Sequence, residues 1–113
     1  MITLGIFLIL FMWKLFKFDP SYEINELGVV RNIKTLKELK PFVTTNGYLR
    51  LRIKGVGYQV HRLISEHFID NPNNYTEINH IDGDKLNNNI NNLEWSTRNL
   101  NMIHAYETKL SDS

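Results

Sequence analysis

The stretch from Phe42 to Val60, FVTTNGYLRLRIKGVGYQV, constrains the fold more than any other segment: apolar and polar residues alternate along it and glycine-bearing turns interrupt it. A period of two marks a half-buried β-strand, and Asn-Gly between two such runs is the strongest short hairpin signal. Asn46-Gly47 and Gly55-Val56-Gly57 therefore predict three antiparallel strands. Arg50, Arg52 and Lys54 stand at i, i+2 and i+4, which places them on one sheet face. Such a row is either a solvated face or a strip that contacts phosphates, and the two differ in how binding responds to salt.

Directly after this segment the period changes. Val60, Leu63, Ile64 and Phe68 recur at helical spacing, predicting a helix over Val60 to Ile69 that Pro72 ends. Upstream, Asp19-Pro20 opens a turn, Gly28 punctuates a short strand-like stretch, and Pro41 stops a charged segment at Leu36 to Leu39. Downstream the expected order is a short strand ending at His80, a polar loop from Asp82 to Asn91, a strand over Asn92 to Trp95 and a helix over Thr97 to Thr108. Ser96 or Thr97 is a suitable N-cap for that helix. Short antiparallel strands with segregated helices give an α+β class, and 113 residues make about one domain.

The formal net charge is only +1, but it is unevenly spread. Residues 1–60 carry nine Lys or Arg against four Asp or Glu, and residues 61–113 carry four against eight. A basic front half attracts phosphates and an acidic back half attracts cations. With no cysteine, disulfides, thiolate nucleophiles and Cys-ligated zinc are excluded, so any metal must sit on oxygen and nitrogen ligands. Asn is abundant, fourteen in all with five between Asn87 and Asn92. Met1 to Trp13 is almost wholly apolar. It is shorter than the ~20 residues a membrane-spanning helix needs and lacks the marks of a secretory signal. It reads as an extension packing as an extra helix, with Met12 a plausible start, as a peripheral anchor, or as a core element.

Four histidines, at 61, 67, 80 and 104, are the candidates for chemistry. His67, beside Phe68 on the edge of the apolar helix face, reads as packed or superficial, and His61 as a helix-start residue. His80 ends a strand, follows Asn79 and precedes Asp82-Gly83-Asp84, while Asn101 and His104 lie three apart and share a helix face. Packing that helix across the two strands is expected to bring His80, Asn79, Asn101 and His104 to one spot. Hydrolysis of a phosphodiester asks for such a set: a base near neutral pH, and oxygen ligands holding a hard cation. A calcium loop starting at Asp82 fails, because Leu86, Asn87 and Leu93 occupy positions that need an oxygen ligand, Gly and Glu. Trp95, at a strand end, is expected in the core rather than on a base-stacking surface.

Residues 60–105, with V-H-R-L-I, N-H-I-D-G-D-K-L-N-N-N, N-L-E-W-S-T and N-x-x-H-A in order, resemble the HNH endonucleases, in particular their phage homing-endonuclease-like branch. Trp13-Lys14 and Tyr22-Glu23-Ile24-Asn25-Glu26-Leu27-Gly28-Val29-Val30-Arg31 resemble the W-K…Y-E-I-S-N-x-G-x-V-R module that often precedes HNH. The resemblance implies a ββα-metal core and a division into an apolar extension (1–12), a basic β-rich module (13–59), a nuclease domain (60–108) and a polar tail (109–113). It implies metal-dependent hydrolysis of DNA, by nicking or double-strand cleavage, with Mg²⁺ or Mn²⁺ as cofactor. His80 corresponds to the general base, Asn92 to the residue that pins the loop and so orients it, and His104 to a second-sphere or phosphate-contacting position. Asn101 and Asn79 correspond to metal positions. Residue 79 is a carboxylate in some branches, so its amide leaves Asp82 or Asp84 to restore negative charge. Arg50, Arg52, Lys54, His61 and Arg62 are expected to hold the DNA backbone. An intracellular location follows from a DNA substrate, with a membrane association of residues 1–12 as the minor alternative. A DNA-binding remnant without turnover is the rival reading of the whole chain.

Overall fold

The computed structural model describes residues 11–111, with side chains as far as Glu107. The apolar extension and the polar tail therefore lie largely outside the described residues, although the last helix continues through 109–111 where a tail was expected. Strands β1 (Trp13–Leu15), β2 (Tyr22–Asn25) and β3 (Val30–Asn32) form one antiparallel sheet in that order. A second is built of β4 (Phe42–Val43), β5 (Leu49–Ile53) and β6 (Val56–Gln59). Helix α1 (Val60–Phe68) follows without a break, then the hairpin of β7 (Glu77–His80) and β8 (Leu93–Ser96), and finally α2 (Arg98–Ser111). The class is α+β, as the alternation implied.

Both expected turns join antiparallel strands, and the tighter one lies one residue earlier than Gly55-Val56-Gly57 implied. It is at Lys54-Gly55, where φ is +50° and +84° and Ile53 pairs with Val56 across two residues. Two positive φ angles give the local twist that suits a two-residue hairpin. Asn46-Gly47 instead closes a wider loop in which Thr44 O accepts from Gly47 N–H. One correction follows: Lys54 leaves the strand, so only Arg50 and Arg52 share its face. The Lys54 ammonium pairs with Asp19 at 2.8 Å.

Turn chemistry also shapes the first sheet. Asn25 is buried, and its Oδ1 accepts the N–H groups of Leu27 (3.0 Å) and Val29 (3.1 Å), folding β2 back into β3. At the tip of that turn Gly28 adopts φ +82°, and a Cβ there would stand 2.8 Å from Val60 Cγ1 and 3.0 Å from Ile64 Cδ1. The turn is thereby pressed against α1. Phe16, Ile24 and Val30 of the first module, Leu51 and Ile53 of the second sheet, Val60, Leu63 and Ile64 of α1 and Leu93 of β8 form one buried cluster. Every module buries its apolar face against the same nine-residue helix.

His67 fastens the junction. Its Nδ1 donates to Leu63 O (2.7 Å), its Nε2 accepts from Lys17 N–H (3.0 Å), and its ring stacks on Phe16 at 5.4 Å. A ring that donates from one nitrogen and accepts at the other is neutral, and burial lowers its pKa from the usual value. His61, on the first turn of α1 and 6% exposed, is pushed down to about 4 by burial and then by the adjacent His80 and Arg62.

Gly28→Ala is expected to destabilise the protein by about 2–4 kcal/mol in denaturant unfolding, because it adds a left-handed backbone penalty to overpacking against Val60 and Ile64. Both buried imidazoles are neutral in the fold and protonate more readily once unfolded, so the unfolded chain binds the extra protons and stability falls as pH drops from about 6.5 towards the folded values. The unfolding midpoint should decline between about pH 7 and pH 4, with His61 contributing on the order of 2–3 kcal/mol. Unfolding of His61→Leu across the same range should show a shallower slope; an unchanged slope would remove His61 from the account.

Candidate active site

The β7–β8 hairpin pairs Glu77 with Ser96, Ile78 with Trp95, Asn79 with Glu94 and His80 with Leu93. Residues 81–92 bridge the strands as a long polar loop that Asn92, 9% exposed, holds in place. Its Oδ1 accepts from Asp82 N–H (3.0 Å), its Nδ2 donates to Asp82 Oδ1 (2.9 Å) and Asn87 O (2.8 Å), and its carbonyl accepts from Ile81 N–H (2.8 Å). One side chain thus ties both ends and the middle of the loop.

That loop carries Asn88 to His80. The imidazole of His80, 7% exposed, lies with Nε2 2.8 Å from Asn88 Oδ1. An amide oxygen only accepts, so Nε2 carries the proton and the lone pair resides on Nδ1. Against the same ring lie His61, its centroid 4.9 Å away, and Tyr48 at 6.2 Å. His61 is packed between Tyr48 and His80, with its buried Nδ1 unpartnered, and presents no surface to a DNA backbone. The sequence-based role for His61 as a backbone contact is therefore replaced by packing behind His80.

Strand pleating divides the remaining residues, since neighbours on a strand face opposite ways. His80 points towards α1, whereas Asn79 faces α2. There Asn79 Nδ2 donates to Glu94 Oε1 (2.9 Å) and Asn101 Nδ2 donates to Glu77 Oε1 (3.2 Å). Asn79, Glu94 and His104 line one shallow pocket together with Leu100 and Ile103. Two polar atoms on this side, Asn101 Oδ1 and His104 Nε2, are buried without a hydrogen-bond partner. The expected single cluster is thus two groups, on the two faces of β7, with His80 and Asn79 adjacent in the chain. Thr97 starts α2 by accepting from Leu100 N–H (3.2 Å), as its capping role predicted.

Asp82 does not serve as a spare ligand. Its carboxylate accepts from Asn92, Asp84 N–H and the Asn87 side chain (2.7 Å), and the Asn87 amide, followed by the Asp84 N–H, holds it below the usual carboxylate range. Asp84 is similarly turned to Leu86 N–H (3.0 Å). Both carboxylates build the loop.

Arg62, expected on the DNA backbone, is engaged within the protein: it donates to Thr76 O (2.8 Å), approaches Glu66 at 3.6 Å and lies 5.8 Å from the Trp95 ring. Trp95 itself is half-buried and donates to Ile69 O (3.1 Å), tying β8 to the end of α1. Arg52 is exposed, and Arg50 lies flat on Gly57, where a Cβ would meet its Nη2 at 2.6 Å. Among the described residues no helix is long and apolar enough to cross a membrane.

Asn88, Glu77, Glu94 and Tyr48 were not identified from the sequence. The two glutamates were accessible in principle, because Glu77 shares the pleat of Asn79 by its spacing and Glu94 opposes it once the register is known. Tyr48 comes from the loop entering β5 and has no local signature.

Residues 58–103 match the model of the HNH endonuclease family, and residues 12–54 match the NUMOD4 motif. An uncharacterized HNH endonuclease of Acanthamoeba polyphaga mimivirus is 45% identical over 95 residues, covering 80% of this chain and 29% of that protein. The DNA endonuclease I-HmuI of Bacillus phage SP01 is 36% identical over 95 residues, 80% of this chain and 55% of that one. A solved structure, described as DNA binding and cleavage by the HNH homing endonuclease I-HmuI, superposes with a TM-score of 0.72 at 34% identity, covering 86% of this chain and 60% of that one. The chain thus spans about half the length of I-HmuI and under a third of the mimivirus protein. A NUMOD4 motif thus leads into the strand–loop–strand–helix unit that carries His80, Asn92 and Asn101, and that unit is an HNH endonuclease domain.

Proposed function

We propose that the chain is a divalent-metal-dependent DNA endonuclease of the homing type, with His80 as the general base. The observation that carries this reading is the 2.8 Å contact between His80 Nε2 and Asn88 Oδ1: with Nε2–H donating to the amide oxygen, Nδ1 is left to accept a proton from water. Asn92 acts on this step only through the loop that brings Asn88 to the ring. His61 and Tyr48 limit how the imidazole can turn.

The donors on the α2 side suit a hard or borderline cation such as Mg²⁺ or Mn²⁺: an amide oxygen and an imidazole nitrogen are both buried and unpartnered. Asn101 Oδ1 and the carbonyl oxygen of Asn79 are the groups that would hold it, with His104 beside them. When bound, the ion would supply positive charge against the extra negative charge that develops on the phosphate. Arg50 and Arg52, on one face of β5, are the backbone-contacting candidates in the basic half of the chain. The neutral amide at position 79 favours a second reading, a DNA-binding protein without turnover, and the same assay separates the two.

Purified protein incubated with supercoiled plasmid and Mg²⁺ or Mn²⁺ should produce nicked or linear DNA. His80→Ala should slow cleavage by about 10²–10⁴-fold, or roughly 3–5 kcal/mol of barrier. Undiminished cleavage by that variant would falsify the base assignment, and binding without cleavage in either metal would leave the binding reading standing. DNA affinity should fall steeply between about 50 and 200 mM salt. Arg50→Ala with Arg52→Ala should flatten that slope by up to about two charges' worth; an identical slope would make the row a solvated face.

A further inference from the structure

We infer that Glu94 and Glu77 supply the negative charge for the cation site, acting through the amides of Asn79 and Asn101 that they hold. The inference rests on the proposed metal site and concerns how that site, made of neutral groups, would bind a doubly charged ion. An amide contributes a dipole where a carboxylate contributes a full charge. Asn79 and Asn101 alone therefore leave the site short of counter-charge.

Both amides are anchored in the same way. Each donates its Nδ2 to a glutamate, Asn79 to Glu94 at 2.9 Å and Asn101 to Glu77 at 3.2 Å. An amide anchored by its nitrogen presents its carbonyl oxygen on the other side. In Asn101 that oxygen is buried and unpartnered, as is the Nε2 of His104 one helical turn further on. An amide oxygen buried without a donor is costly, and a cation satisfies it. Glu94 lines the same pocket as Asn79 and His104, so its charge stands beside the amide it holds. Such outer partners polarise the ligand: a carboxylate drawing on the N–H of an amide increases the negative charge on its oxygen.

The placement also follows from the fold. Residues 77 and 79 share one face of β7, and the register sets Glu94 directly opposite Asn79 on β8. The loop carboxylates of Asp82 and Asp84 are committed to backbone and side-chain N–H groups of the loop itself.

Mn²⁺ titrated onto the full-length chain, with the free ion followed by electron paramagnetic resonance, provides the test without relying on turnover. Glu94→Gln keeps an acceptor for the Asn79 amide but removes the charge, and should weaken Mn²⁺ binding about tenfold or more. Glu77→Gln should act in the same direction. Adding Asn79→Asp to Glu94→Gln returns the carboxylate to the site and should restore affinity to within about threefold of the parent, on the same scale. Circular dichroism on each variant confirms the fold. Wild-type Mn²⁺ affinity in a folded Glu94→Gln protein overturns the inference while leaving the metal site intact. Absence of Mn²⁺ binding by the parent chain itself overturns the cation site and the inference with it.

Discussion

Everything in this protein leans on the apolar face of α1. Nine residues long, with no acidic residue in its first turn and no side-chain cap at Gln59, the helix has little to hold it as an isolated segment. Its stability comes from what packs on it: the Gly28 turn against Val60 and Ile64, Phe16 against His67, Leu51 and Ile53 from the second sheet and Leu93 from the hairpin. Small sheets of two or three short strands do not stand alone in water, and sharing one buried helix turns three marginal units into one core. That arrangement also positions the chemistry, because His61 on the first turn of α1 is the surface against which His80 rests.

The site is built by a division of labour along one strand. On one side of β7, His80 is fixed by a hydrogen bond to a loop residue and by aromatic neighbours from α1 and the segment entering β5. On the other side, Asn79 meets Glu94 and the residues of α2. Consecutive residues thus lie in different surroundings, the imidazole of His80 against His61, Tyr48 and Asn88, the amide of Asn79 against Glu94. Loop residues that look interchangeable are not. Of the five Asn between 87 and 92, Asn92 closes the loop, Asn88 reaches the histidine, Asn87 holds Asp82, and Asn89 accepts from Asn91 N–H.

The elements that carry the candidate residues were legible because they are local. His80, Asn92 and Asn101 sit at spacings that a strand, a fixed loop and a helix impose, and the Thr97 cap and the Val60–Phe68 helix follow from period and side-chain type. Expectations that needed partners distant in sequence fared less well. Arg62 keeps 37% of its side chain exposed but donates to Thr76 O, Lys54 meets Asp19, and His61 turns inward. Each is a polar residue whose direction depends on which element passes over it, and nothing within a few residues of it carries that information.

By itself, the order of residues determined the α+β class, the strand–loop–strand–helix unit and the kind of residue available at each end of it, since these depend on alternation, helical period and turn chemistry within short windows. Only the tertiary structure decided that the second turn is closed by Lys54-Gly55, so that Lys54 leaves the strand, that His80 and Asn79 look to opposite sides, and that Glu77 and Glu94 meet the two amides. The physical reason is that strand register and helix docking are settled by burial against a shared core, a sum over residues far apart in the chain, whereas propensity and capping are settled by neighbours.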